Sequence, residues 1–326
     1  MAIDVADVKA QFGAYYIAGS QNQANLRNKF YKPIETAMYF KDRPTSDTIW
    51  RGTQATLDRV VQPFQKAYTP IGTLTFIPNK FDLYKLKIDK DEYPDDLEPT
   101  YEGFLADVED LDRKNWPFVK WFIENHIMPR KDEDLETNEY FNGVFVDPTP
   151  GVAGAAGTSM NGLRKVIRDY NLAGRTNLGN GPIATGAPAD SDVDFCTQVE
   201  TFVDGIPSMF RKKLDYIFMS HDLETKYKRG KAKKYGLQLN FMDTKDKFSI
   251  EDYPTVSVKG LESHTGSGLI WTSIPDNRIR PIKKGALVNM MKVESQKRLV
   301  SLFTDWWEAL NFEVPEFVFH NDQDLA

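Results

Sequence analysis

An α+β fold is predicted for this chain of 326 residues, and three stretches carry the prediction. In "TLTFIPNKFDLYKLKID", Thr73 to Asp89, apolar and polar residues alternate on both sides of Pro78-Asn79, the period of a β-hairpin. In "NWPFVKWFIENHIMPR", Asn115 to Arg130, apolar residues recur every three or four positions, as on a helix with one buried face. Beyond Gly151, short strands and helices follow without regular βαβα alternation, which favours α+β over a doubly wound sheet.

From Met1 to Pro44 a helical opening is followed by "SQNQANLRNKFYKP", with few apolar runs, so this region reads as an arm with one short helix lying on other surfaces. In the hairpin, Leu74 and Phe76 alternate with threonines, and Tyr84, Leu86 and Ile88 alternate with Lys85, Lys87 and Asp89. An isolated two-stranded ribbon is marginal in water, so the hairpin must rest on its own domain or on a neighbouring subunit. In the long helix Asn115 is placed to cap the N-terminus, Trp116-Pro117 fits the first turn, and Phe118, Val119, Phe122, Ile123 and Ile127 share a face. Pro129 is expected to kink or end it, with "RKDEDLETNEY" as a polar extension.

Met160, Leu163, Val166, Ile167 and Tyr170 mark a second amphipathic helix, and "NLAGRTNLGNGPIATGAPADSD" reads as an exposed loop. "DFCTQVETFVDGIPSMFRKKL" is helical with a break at Gly205 to Pro207, "DYIFMS" is a strand, and "HDLETKYKRGKAKKYG" is a basic helix ending at Gly236. The strand-like pieces "TVSVKGL", "GLIWTSI", "RIRPIKK" and "RLVSLFTDWWEALNFEVPEFVFH" complete the chain.

A hydrophobic fraction of 41% supplies a real core and excludes global disorder. No segment reaches the ~18 consecutive apolar residues of a membrane span, and the N-terminus lacks a secretory pattern, so a soluble intracellular product with no membrane partner is expected. The single cysteine, Cys196, allows no internal disulfide, and His126, His221, His264 and His320 are too scattered for a structural metal; no cofactor is implied. Charge is segregated: basic residues dominate Met1 to Lys80 and Gly205 to Asn240, and acidic ones dominate Phe81 to Tyr140. Such blocks are either solvated faces or the complementary patches that fix register between copies of a self-assembling subunit.

The glycine-rich loop "GVAGAAGTSMNG", Gly151 to Gly162, is the sharpest enzymatic lead. It lacks the lysine of a Walker A loop, its glycine spacing is not that of a dinucleotide fingerprint, and Ser159 does not sit in a nucleophile elbow. Thr158 or Ser159 as a helix cap accounts for it more simply. "SHD", Ser220 to Asp222, is too compact for a catalytic triad and reads as the cap of the basic helix. The carboxylates Glu109, Asp110 and Asp112, and those from Asp132 to Glu136, lack calcium-loop spacing, and Cys196 stands among polar residues with no histidine near it. Lys226, Lys228, Arg229, Lys231, Lys233 and Lys234 would attract phosphate without reading sequence, and no DNA-recognition motif accompanies them.

In the order of its pieces, and in "DYIFMSHDLETKYK", "GLIWTSIPDNRIRPI" and "TDWWEALNFEVPEF", the chain resembles the major capsid proteins of tailed bacteriophages, from the hairpin onward. The resemblance implies an HK97-like capsid fold: an N-terminal arm over 1–44, an extended hairpin (E-loop) over 66–99, and a peripheral domain with a long spine helix over 45–65, 100–143 and 280–312. Residues 144–279 and 313–326 would form the axial domain, with "TNLGNGPIATGAP" near a hexamer or pentamer centre. It implies no catalytic residue. Assembly contacts would come from Leu74, Phe76, Tyr84, Lys85, Leu86, Lys87 and Ile88 of the E-loop, and from Trp116, Phe118, Trp121, Lys226, Arg229 and Lys233 of the spine and basic helices. The implied function is a major capsid protein forming hexamers and pentamers of an icosahedral shell around double-stranded DNA, in a virion assembled in the host cytoplasm. Implied partners are many copies of itself, a portal, a separate scaffolding protein, and packaged DNA by non-specific contact. Alternatives are an enzyme binding phosphate or nucleotide at 151–162, or a tail or tube protein.

Overall fold

A long helix with an apolar face is the natural centre of a core, and the molecule is built around one. The computed structural model describes residues 34–93, 118–235, 249–250, 253–284, 291–296 and 299–325. One turn, α1 (Glu35–Met38), precedes β1 (Lys41–Thr45), β2 (Ile49–Leu57), β3 (Leu74–Asp82) and β4 (Tyr84–Glu92). The long helix α2 is α-helical over Phe118–Phe122 and Met128–Asp134 and π-helical over Ile123–Ile127 and Leu135–Glu139. Pro129 does not end it. The proline falls in the first turn after a π-helical turn, where its missing N–H is tolerated, and the expected polar extension is helical through Glu139.

After α2 come α3 (Leu163–Leu172), α4 (Asp192–Asp204), α5 (Ser208–Arg211), β5 (Tyr216–Ser220), α6 (His221–Tyr235) and β6 (Ser249–Ile250). Then follow β7 (Tyr253–Leu261), β8 (Trp271–Ser273), β9 (Arg278–Lys283), β10 (Lys292–Gln296), β11 (Leu299–Glu308), β12 (Asn311–Phe312) and β13 (Val318–His320). One sheet runs β1-β9-β11-β10, with β12 on β9 and β4 on β11; a second runs β13-β8-β5-β7-β6. Trp121, Phe122, Ile123, Ile127 and Leu135 of α2 pack with Phe40, Leu86, Trp271, Trp306 and Phe312 in the first core cluster. The second cluster joins Phe195, Val199 and Phe202 of α4 to Tyr227 of α6 and to Ile217, Met219 and Val258 of the second sheet.

The expected hairpin is corrected. β3 and β4 do not pair with each other, and Pro78-Asn79 is not a turn but lies inside β3, opposite Thr53 and Gly52 of β2. Among the described residues β3 pairs only with β2, so a proline on this two-stranded ribbon forfeits no ladder bond on its outer edge. The Asn79 amide, instead of shaping a local turn, donates to the Phe312 and Glu313 carbonyls at 3.0 Å each. The chain passes buried Leu83 and continues as β4, antiparallel to β11.

Residues 34–44, expected in the arm, are joined to the body of the subunit. Thr36, Ala37 and Phe40 are buried, and β1 pairs in parallel with β9 from Lys41 opposite Ile279 to Thr45 opposite Lys283. Residues 1–33, Trp116 and the expected cap Asn115 lie outside the described residues. The loop after α3 is exposed only in part: Thr176 and Asn177 are buried, and Ile183 bridges Asn321.

Gly230 reverses an ordinary rule. A glycine inside a helix costs about 1 kcal/mol relative to alanine, but here a Cβ would stand 2.0 Å from the Asp192 carbonyl oxygen at the start of α4. Gly230→Ala is therefore expected to destabilise the protein by about 1–3 kcal/mol, read as a lower urea midpoint. An unchanged or raised midpoint would contradict this packing.

Candidate assembly surfaces

The residues expected to make assembly contacts divide into two sets. Leu74 and Phe76 stand exposed on the ribbon formed by β2 and β3. Leu86 is 5% exposed and belongs to the core, Ile88 and Tyr84 pack against that core, and the Tyr84 ring lies 4.9 Å from Phe145. Lys85 pairs with Asp305 of β11 at 2.5 Å, and Lys87 pairs with Asp89. Leu86, Ile88, Tyr84 and Lys85 therefore seat β4 in its own subunit, Lys87 stays exposed with its partner on the same strand, and Leu86 is corrected from interface to core. Trp121 is corrected likewise: it is 2% exposed, since the period that marks a helix face does not say whether the face meets its own sheet or another copy. Phe118 opens α2.

On the basic helix α6, Lys226 lies 5.9 Å above the Phe195 ring and Lys233 pairs with Asp192 at 2.5 Å, so both turn toward α4. Arg229 is exposed. Sequence reasoning missed the tip of the ribbon, where Val60, Val61, Phe64 and Tyr68 project, with Phe64 94% and Tyr68 92% exposed. The available signal was "VVQPFQKAYTPIG", apolar residues before and between two prolines with no helical or strand period. Val144 and Val146, ahead of the glycine-rich loop, and Val152 within it are also exposed.

That loop does cradle an anion, supplied by the chain itself. The Glu139 carboxylate, from the last turn of α2, accepts the Gly157 N–H at 2.9 Å and the Ser159 N–H at 3.0 Å. Neither Thr158 nor Ser159 caps α3. The cap position is Gly162, without a side-chain bond, because a Cβ there would lie 2.5 Å from the Phe141 carbonyl oxygen. The Thr158 hydroxyl instead donates to the Ala155 carbonyl. An open groove of about 310 Å³ beside the loop is lined by Leu86, Ile88, Lys131, Leu135 and Trp306 among others.

The other chemical leads are occupied by packing. Ser220 accepts the Leu223 N–H at 3.4 Å and caps α6 as expected. Cys196 is not in polar surroundings but fully buried in the second core cluster, and burial, with Glu200 beside it, pushes the thiol up to about 12. Of the acidic run, Glu133 and Asp134 pair with Arg130, Asp132 pairs with Lys131, and Glu136 turns inward to Thr36. Glu109, Asp110 and Asp112 lie outside the described residues. Among the described residues no group of three or more His, Cys, Asp or Glu could hold a metal ion, and no helix is long and apolar enough to cross a membrane.

Solved structures share this architecture. A chain of the satellite phage P4 procapsid, a structure that includes the size determination (Sid) protein, superposes with a TM-score of 0.53 at 11% identity, covering 92% of this chain and 98% of that one. A chain of the capsid of the native GTA particle gives a TM-score of 0.51 at 14% identity, covering 87% of this chain and 88% of that one. The fold is HK97-like. Neither a protein-family model nor a curated protein sequence matches the chain. The HK97-like fold is therefore reached here with little residue-level likeness, as expected where layers and packing, and not side-chain chemistry, are held in common.

Removing the Glu139 carboxylate tests the cradle. Glu139→Ala leaves the Gly157 and Ser159 N–H groups without their acceptor and is expected to cost about 1–3 kcal/mol in urea unfolding, while Glu139→Gln, which retains one acceptor oxygen, costs less. Equal stability of all three proteins would show that solvent replaces the carboxylate at no cost.

Proposed function

We propose that the chain is a capsid protein whose copies close into an icosahedral shell of hexamers and pentamers around double-stranded DNA. One observation carries the proposal: on an HK97-like fold, the β2–β3 ribbon presents Val60, Val61, Phe64 and Tyr68 to solvent, and none of the described residues covers them. An apolar projection of this kind is stable only when another surface buries it. A second copy is the partner that repetition by symmetry supplies.

On this reading the ribbon from Ile49 to Asp82 takes the part of the E-loop, in place of 66–99, and α2 takes that of the spine helix. The six-stranded sheet with α2 corresponds to the peripheral domain, and α4, α6 and the five-stranded sheet to the axial domain. Residues 1–33 correspond to the arm, with α1 joining it to the body of the subunit. A portal, a separate scaffolding protein and non-specifically held DNA complete the partners, in a virion assembled in the host cytoplasm. The chain's role is structural, without catalysis. The enzymatic alternative loses its main support because Glu139 already occupies the loop N–H groups that a phosphate would need.

Electron microscopy of the expressed chain, alone and with crowding agents, is expected to show closed shells or capsomers. Phe64→Ser with Tyr68→Ser is expected to abolish them while shifting the melting temperature by no more than about 2 °C, because exposed side chains contribute little to subunit stability. Unchanged shells from the double variant would refute the role given to the ribbon, and rods or rings would refute a capsid. Removing Thr73 to Asp89 is not an equivalent test, since it would take β4 out of the six-stranded sheet.

A further inference from the structure

A buried line of hydrogen bonds crosses the junction of α1, α2 and the turn after β7, and its direction is determined. The Trp271 indole N–H, a donor only, lies 2.8 Å from His264 Nε2. His264 Nε2 therefore accepts, and the proton of the neutral ring sits on Nδ1, 2.9 Å from Ser263 Oγ. Ser263 in turn donates to Thr36 Oγ1 at 2.8 Å, and the Thr36 hydroxyl donates to the Glu136 carboxylate. The Thr36 backbone N–H reaches the same carboxylate at 3.1 Å. His264, Thr36 and Ser263 are closed off from solvent, and the His264 ring is stacked on Phe141 at 3.8 Å.

This arrangement has no place for an imidazolium. A proton on Nε2 would face the Trp271 N–H, donor against donor, with no acceptor available to either. We propose that residues 34–40 form an acid-released clasp, in which protonation of His264 drives Nε2 away from the Trp271 N–H and, by displacing the ring, breaks the line through Ser263 and Thr36 and frees α1 from the body of the subunit.

The groups along the line act in both senses. Burial alone pushes His264 down to about 3 from the usual 6.5, so an opened state takes up the proton first. The stability this supplies is present above the ordinary value and is lost as pH falls below it. Glu136 acts in the other sense. Burial raises its carboxyl, opposed by the Thr36 bonds and assisted by the charge of Glu35, and a raised carboxyl loses stability as pH rises. Glu35 on α1 is held by Lys259 at 2.9 Å, by the Glu262 N–H at 3.3 Å, and by His221 Nε2 at 3.5 Å. His221 also lies 3.3 Å from Glu224 and 3.8 Å from Glu262, and it has no bond to the line through Ser263 and Thr36 among those named above.

Hydrogen exchange of the full chain, divided by the intrinsic rate at each pH, tests the clasp. In residues 34–40 it is expected to rise about tenfold between pH 7 and pH 5, to lose this step in His264→Gln, and to keep it in His221→Gln. A flat profile in the natural chain, a step that survives His264→Gln, or a step lost in His221→Gln would overturn the proposal. Should His264→Gln not fold, ¹⁵N NMR of the natural chain labelled at its four histidines decides. Neutral His264 protonated on Nδ1 supports the clasp, and protonation on Nε2 at pH 7 overturns it.

Discussion

β4 and β11 pair from Tyr84 opposite Glu308 to Glu92 opposite Val300, and the remaining architecture depends on that register. Along β11, Val300, Leu302, Thr304, Trp306 and Glu308 are buried while their neighbours are half-exposed, so a slip of one residue would turn all five outward. The same register brings Lys85 to Asp305 and places Leu86 with Trp306 beneath α2. It also fixes the ribbon. β4 follows β3 with only Leu83 between them, so the sheet determines where the exposed tip is held.

Much of the charge segregation visible in the sequence is used inside the subunit. Lys233 and Lys234 of α6 reach Asp192 and Glu200 of α4, and the two acidic residues Glu136 and Glu139 of α2 satisfy backbone N–H groups of α1 and of the glycine-rich loop. The exposed ion pairs are individually worth at most about 1 kcal/mol and are screened by salt. The buried carboxylates matter more, because each meets donors that would otherwise be left unpaired away from water.

The fold class and most elements after Gly151 were legible because strand alternation and helix period are local properties. β5, α6 and β7 lie where "DYIFMS", the basic run and "TVSVKGL" placed them. Strand partners were not legible. Nothing local distinguishes β3 bound to β2 from β3 bound to β4, and Asn79, the residue that suggested a turn, is held by carbonyls more than two hundred positions away. For the same reason Trp121 and Leu86 looked like contacts between copies. Their apolar character marks burial without naming the partner. Glu139 was invisible as the loop's anion because it precedes the loop and its role arises only once α2 ends beneath it.

The passage from β3 through Leu83 into β4 has a mechanical consequence. A pull on the ribbon along its axis reaches the subunit body through β4, which is bonded side by side to β11 along its whole length. Such a pull loads those transverse hydrogen bonds together in shear instead of opening them one after another. The projecting ribbon is thus attached where the sheet resists tension best, and an extended limb can carry force into the body without peeling the sheet apart.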